Sequence, residues 1–365
     1  MTRRSKRLER RMKKHFNKKE EYKKLYDNFE QMIDYGHLFD ASKKASKGVS
    51  WKASVQRYLN NVLFRTLETH NDLLNHKDVR NGFIEFDINE RGKERHIKAV
   101  HFSERVVQKS LCKNILYPLF TKSLIYDNGA SQKGKGVHFA IQRLEKHLRN
   151  HFKQYGNKGY ILLMDFKSFF ENINHNILKK LYRKYISDEL ILKYTDDFVD
   201  AFGEKGLGLG SETSQLHAIL YTNPIDHYIK EKLRIKGYGR YMDDSYIICN
   251  DKNKLKVIYQ KIKKKILEYD IQISEKKTHV TDIKHGFTFL KTRFYLTNNG
   301  KIIKKPLRKY VTYERHRLKR QRTLLNTNKM TVFQAYNGLI GWNGSMVYKN
   351  TNFTRYKMNK YFYSL

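Results

Sequence analysis

Apolar side chains recur at helical spacing in the first part of the chain. Phe16, Tyr22, Leu25, Tyr26, Phe29, Met32 and Ile33 stand among Lys, Arg and Glu at intervals that predict amphipathic helix through about residue 48. Val55, Tyr58, Leu59, Val62, Leu63 and Leu67 share one face of a helix expected over 51–75. The period then changes. Ile84-Glu85-Phe86-Asp87-Ile88 alternates as a strand, residues 89–93 read as a turn, and Arg95 to Val100 as the returning strand. Ser103 is a candidate N-cap for a helix reaching about Phe120. A flexible basic loop, 129–136, precedes helix over 137–151 and a short buried strand at Tyr160–Met164. Helix is expected over 176–203, after the Gly-rich stretch 206–215 as far as about Lys236, and over 252–268. Strands within 287–305 and a basic helical tail complete the pattern. Ile340-Gly341-Trp342-Asn343-Gly344 breaks that tail as a turn between helices.

One hairpin in this frame carries chemistry. Gly237-Tyr238-Gly239-Arg240-Tyr241 and Ser245-Tyr246-Ile247-Ile248-Cys249 flank a polar break and read as paired strands with Asp243 and Asp244 at the tip. Adjacent carboxylates repel unless cations neutralise them, and Mg²⁺ favours carboxylate oxygens together with substrate phosphates. Asp165 ends the apolar strand before it. A carboxylate at a strand end beside two at a hairpin tip makes a metal cage. Two metals roughly 4 Å apart would stabilise the attacking hydroxyl and the leaving pyrophosphate of an in-line displacement. Asp196-Asp197 is the control: it lies in a helical stretch and reads as a solvated face.

Charge sharpens the picture. Lys and Arg number 74 against 36 Asp and Glu, a formal net charge of +38, which points to a polyanion partner. The 26 Tyr and 21 Phe are interleaved with the basic residues, so rings can stack on bases while cations meet phosphates. AT-rich codon usage accounts for much of the Tyr and Lys excess, but not for the scarcity of acids. Cys112 and Cys249 form no CxxC pattern, so neither a zinc site nor a disulfide framework is indicated. No run of 18 apolar residues marks a transmembrane helix. The basic N-terminus, Met1 to Arg7, has no apolar segment behind it, so a cytoplasmic protein without secretory signal is expected.

The ordered set of motifs resembles the reverse transcriptase family over about residues 80–310, as in group II introns and bacterial retroelements. Asp165-Phe166-Lys167-Ser168-Phe169-Phe170 looks like the family's first catalytic motif. Gly206-Leu207-Gly208-Leu209-Gly210 through Gln215 is similar to its Gly-rich substrate motif, and Tyr241-Met242-Asp243-Asp244 to its catalytic box. Ser274-Glu275-Lys276-Lys277-Thr278 resembles the motif that supplies a lysine general acid, and Gly286-Phe287-Thr288-Phe289-Leu290 the primer grip.

The resemblance implies roles. Asp165 and Asp243 would be the main metal ligands, with Asp244 nearby and the carbonyl of Phe166 completing a coordination sphere. Phe170 falls at the steric gate against a ribose 2′-hydroxyl. Lys277, rather than its neighbour Lys276, would protonate the departing pyrophosphate. Arg95 and Lys98 lie on the strand where the family's fingers grip triphosphate. Gly208 and Gly210 let the backbone approach nucleotide and template closely. Gln215, Tyr241 and Met242 complete the substrate-binding set. In the tail, Arg315, His316, Arg317, Lys319, Arg320 and Arg322 suit a template-primer backbone.

Two departures stand out. Leu209-Gly210-Ser211-Glu212-Thr213-Ser214-Gln215 replaces the usual Gln-Gly-x-x-x-Ser-Pro, and Met242 replaces the usual Ala. The first form resembles diversity-generating retroelements and some phage-defence enzymes. In the first group, loss of that Gln goes with error-prone copying at template adenines, so the resemblance implies such copying here. Leu209 cannot hydrogen-bond as Gln would, which fits looser checking of the nascent pair.

The resulting expectation is an α+β right-hand polymerase: a basic helical extension over 1–80, fingers and palm over 81–305 with an antiparallel sheet, and a helical thumb over 306–365. Its function would be RNA-templated DNA synthesis in a prokaryotic retroelement. It would use dNTPs, two Mg²⁺ ions with Mn²⁺ as an alternative, an RNA template and a DNA or RNA primer. A structured noncoding RNA and a small accessory protein are further expected partners, and no membrane is. The rival enzyme is a phage-defence reverse transcriptase working with a dedicated noncoding RNA or without template. The rival from another class is an RNA-binding chaperone.

Overall fold

The structure, a computed structural model, describes residues 18, 20–89, 92 and 94–364. Phe16, the N-terminal basic run and turn residues Glu90, Arg91 and Lys93 lie outside the described residues. The chain divides into two compact units. One comprises Met1–Tyr126, Lys167–Tyr228 and Lys264–Gln272, and the other Asp127–Phe166, Ile229–Lys263 and Ile273–Leu365.

The first unit is mainly helical, with one two-stranded sheet, β1 (Phe83–Asn89) against β2 (Glu94–Val100). Three expected helices are broken. The Asn28 and Asp34 side chains cap the helices Phe29–Ile33 and Tyr35–Ala45 and divide the first amphipathic run. The helix expected over 51–75 stops at Asn61 and restarts as Val62–Leu74. That break rotates the second half, so Thr66, Thr69 and Leu73 are buried while Leu63 and Leu67 are exposed. The stretch 176–203 is interrupted between His175–Tyr182 and Glu189–Asp200, because the Asp188 side chain caps a new helix by accepting from the Leu190 and Ile191 N–H groups. Ser103 is not the cap expected of it. The helix Phe102–Leu111 starts after His101 without a side-chain cap.

The second unit is built on a four-stranded antiparallel sheet of order β4-β5-β3-β6, with β3 at Tyr160–Met164, β4 at Tyr238–Tyr241, β5 at Asp244–Cys249 and β6 at His279–Asp282. Residues 161–164 of β3 are all buried, as expected of a strand with neighbours on both edges. The helix Val137–Tyr155 packs Ala140, Ile141, Leu144 and Leu148 against Ile161, Leu163, Tyr246 and Ile248. The same core takes in Phe287, Phe289, Phe294, Leu296 and Ile302 of a three-stranded sheet, which is β7 (Phe287–Phe289), β8 (Thr292–Leu296) and β9 (Ile302–Pro306). The loop expected to be flexible at 129–136 is pinned where it begins. Gly129 N–H donates to the Arg240 carbonyl at 2.9 Å, and Asn128, Gly129 and Ala130 are buried.

Three helices end this unit: Arg308–Asn326, Val332–Met346 and Asn352–Tyr363. Residues 340–344 are not the expected turn but part of one continuous helix. Trp342 packs on the cluster of Leu318, Leu339 and Met358, and the burial of that face holds two glycines in helical conformation despite their low propensity.

Candidate active site

Antiparallel register assembles the site within the second unit. Met164 of β3 pairs with Ser245 of β5, and Leu163 with His279 of β6. Extending both ladders beyond those pairs brings Asp165 alongside Asp244 on one side and Lys277 on the other. Tyr241 pairs with Asp244, so the two turn residues are Met242 and Asp243. This corrects the expectation of an Asp243-Asp244 tip: Asp244 opens the strand, and Met242 takes the positive φ of 54° that the tight turn requires.

The Lys277 ammonium lies 2.7 and 2.8 Å from the two oxygens of Asp165. Lys276, one step along, faces solvent and has no such partner. The Asp165 backbone is held as well. Its N–H donates to the Thr278 hydroxyl at 3.3 Å, and its carbonyl accepts from the Ser274 N–H at 2.8 Å. Phe166 is buried and bridges to Ile273.

Electrostatics show how crowded the carboxylates are. Burial, and then the charges of Asp243 and Asp165, push Asp244 up to about 7. Burial and the Asp165 charge also raise Asp243. Burial opposes the charge on Lys277, but its hydrogen bonds to Asp165 and the charges of all three carboxylates outweigh it and raise its pKa. A divalent cation would relieve this repulsion, so the donor set fits a hard metal ion in kind. Among the described residues, however, no group of three or more His, Cys, Asp or Glu stands in metal-holding geometry.

Arg240 was not singled out by the sequence, where a lone Arg in a strand reads as surface. Only 1% of it is exposed. Its guanidinium donates to the Met242 carbonyl at 3.3 Å and lies 4.9 Å from the centre of the Phe166 ring, so it braces the turn from beneath. The signal available was its period-two spacing from buried Tyr238.

The remaining candidate residues belong to the first unit. Phe169 is core, whereas Phe170, edge-on to it at 5.6 Å, is half-buried and opens a short 3-10 turn. The Leu207 N–H donates to the Phe170 carbonyl at 2.7 Å and the Gly206 N–H to the Ile173 carbonyl at 2.8 Å, tying the Gly-rich stretch to this turn. A side chain at Gly208 would collide with the Phe202 ring, and Gly210 has φ +100°. Gln215 is exposed on the helix Glu212–His227. Arg95 and Lys98 are half-buried on β2, with Lys98 3.7 Å from Glu85. Asp196 and Asp197 lie on a helix as expected, but not on a solvated face: both are half-buried, and Asp196 pairs with Arg183 at 2.5 Å and accepts from the Tyr182 hydroxyl. Both cysteines are free and buried. In the tail, which belongs to the second unit, Arg317 pairs with Glu314 at 2.5 Å, so it is tied into its own helix.

A family profile described as reverse transcriptase (RNA-dependent DNA polymerase) matches residues 77–294. The chain belongs to this reverse transcriptase family. Its mixed helical and antiparallel fold is the polymerase fold expected of a member. Solved structures that resemble it include a telomerase of Candida albicans in complex with a TWJ fragment of telomeric RNA, with TM-score 0.48 and 14% identity over 66% of this chain and 49% of that one. An apo telomerase of Candida tropicalis gives 0.46 and 15% identity over 62% and 50%. A C-terminally truncated form of the latter gives 0.47 and 16% over 61% and 55%. The chain spans about half the length of these solved chains, and likeness at this level says nothing of activity. No curated protein matches the chain. Among the described residues, no helix is long and apolar enough to cross a membrane.

Proposed function

We propose that this chain is an RNA-templated DNA polymerase of a prokaryotic retroelement. The observation that carries the reading is the convergence of Asp165, Asp243 and Asp244 at one end of the four-stranded sheet, with the Lys277 ammonium seated on Asp165. Asp165, Asp243, Asp244 and the main-chain carbonyl of Phe166 would hold divalent metal, Mg²⁺ or Mn²⁺. Two such ions would supply positive charge to the attacking and leaving oxygens of nucleotidyl transfer.

The chain's own groups do the rest. Lys277 keeps its proton at neutral pH and holds it beside Asp165, where it serves as general acid to a departing pyrophosphate. Arg240 keeps the Met242-Asp243 turn in place. Tyr241 and Met242 present an apolar edge to primer or nucleotide. Phe170 acts as the gate against a 2′-hydroxyl, Arg95 and Lys98 engage triphosphate, and Gly208, Gly210 and Gln215 line the nucleotide and template. Residues 81–305 serve as fingers and palm, 306–365 as thumb, and 1–80 as a basic extension. The proposed partners are an RNA template, a DNA or RNA primer, dNTPs, a structured noncoding RNA and a small accessory protein, in the cytoplasm. Leu209 in place of Gln supports error-prone synthesis. Equal accuracy at adenines and other template bases would refute that part.

The test is primer extension on an RNA template with dNTPs and Mg²⁺, beside Asp243→Asn and a control without template. Template-dependent DNA that disappears in the variant supports the reading. The stretch from Leu209 to Gln215 also favours a second reading, a phage-defence enzyme, and DNA made equally without template would select it. RNA binding with no synthesis under any condition would leave an RNA chaperone.

A further inference from the structure

The β4–β5 hairpin ends, away from its turn, in a cavity of about 460 Å³ lined by Lys153, Arg234, Lys236, Lys254, Tyr155 and His151 among others. Among the described residues, no Asp or Glu lines it. Neither Lys153, Arg234, Lys236 nor Lys254 enters an ion pair among the described residues, although many cations elsewhere on the chain do. Arg234 is held at φ 54°, a conformation that non-glycine residues rarely adopt and that is often kept at working sites. Tyr155 is 45% exposed beside them, with its ring 5.2 Å from that of His151. His147 and His151 also border the cavity, but burial lowers both, so its positive charge comes from Lys and Arg.

Converging cations without counter-ions around a concave surface, with an open aromatic face, match a phosphate backbone and an unstacked base. β5 runs from Asp244 to Cys249, so the cavity lies about 17 Å along the strand from the catalytic turn. We propose that this cavity is a second RNA-binding site, which holds a single-stranded RNA segment apart from the primer end. This goes beyond polymerisation and does not depend on it.

Binding is therefore read without catalysis. A labelled single-stranded RNA of about 20 nucleotides is titrated by fluorescence anisotropy, in EDTA, against the full chain carrying Asp243→Asn. Lys236→Glu with Lys254→Glu is compared with Lys256→Glu plus Lys264→Glu, an equal charge change on residues outside the cavity lining. The cavity pair should weaken binding at least about tenfold more than the control pair and reduce the salt slope by about 1.4. The milder Lys236→Gln with Lys254→Gln should weaken it in the same direction, and Tyr155→Ala should add about fivefold or more. Equal losses in the cavity and control pairs would overturn the proposal. So would displacement of the cavity-dependent binding by millimolar ATP, which would make a free nucleotide the occupant. With Asp243 intact, changing only the cavity pair should leave extension of a short primer-template within about twofold of the parent, because the carboxylates that would hold the metals sit at the other end of the strand.

Discussion

At one end of the β4–β5 hairpin stand Asp243 and Asp244, with Asp165 beside them from β3. At the other end stand Arg234, Lys236 and Lys254, joined by Lys153, around a cavity that no carboxylate lines among the described residues. Both ends crowd like charges, and they differ in how the crowding is met. The carboxylates are largely buried, so their charge is poorly solvated. Asp244 is pushed up to about 7, and Lys277 is drawn onto Asp165. The cations are exposed and keep their hydration, so they stand unpaired at little expense until a polyanion displaces water and counter-ions. On the proposed readings, the buried end would serve chemistry on a few atoms, and the exposed end the binding of an extended chain.

The largest effect expected on this contrast is at Lys277. Lys277→Ala should slow primer extension by about 10²-fold or more, while Lys276→Ala stays near the parent rate. Equal effects at the two lysines would break the register argument that singles out Lys277. The next concerns His147, which borders the far cavity and hydrogen-bonds to the hydroxyl of Tyr246 on β5 at 2.9 Å. Burial lowers His147 to about 4, against the partial support of Asp127 and with Lys230, Arg143 and Lys146 opposing its charge. The unfolded chain takes up this proton near pH 6.5 and the folded chain only near 4. Stability is therefore kept above about pH 6.5 and lost as pH falls toward 4, by on the order of 3 kcal/mol. Chemical denaturation from pH 8 to 4 would measure this, and a His147→Asn variant whose pH profile matched the parent would place the loss elsewhere.

The smallest effect carries the comparison into the first unit. Phe170 is half-buried where its neighbour Phe169 is core. Phe170→Ala should cut the preference for dNTP over rNTP by about 10- to 100-fold without greatly lowering the melting temperature. Phe169→Ala should instead destabilise by about 3 kcal/mol or more. A loss of stability at Phe170 with sugar choice intact would make it a packing residue.

How far the site could be read in advance depended on distance along the chain. The hairpin, the strand before Asp165 and the paired strands near residue 90 follow from local apolar runs and alternation, and the strands formed where those patterns put them, although the hairpin turn fell one residue earlier than expected. The misreadings arose where tertiary burial overrode a local cue. Asn61 broke a regular helical face, Trp342 and its neighbours held two glycines in a helix, and His101 rather than Ser103 preceded a helix. Arg240 was missed because a charge in a strand looks solvent-facing until Phe166 and the Met242 carbonyl are seen to enclose it.

By itself the sequence determined the family, the three carboxylates and the strands that carry them, since spacing and residue type are local properties that survive translation into almost any packing. Tertiary structure alone decided which lysine meets Asp165, which aspartate occupies the turn, that an arginine lies buried beneath it and that four cations outside any ion pair among the described residues share one cavity. Each of these joins segments far apart in the chain. Which side chains meet depends on strand register, where a shift of one residue reverses every face.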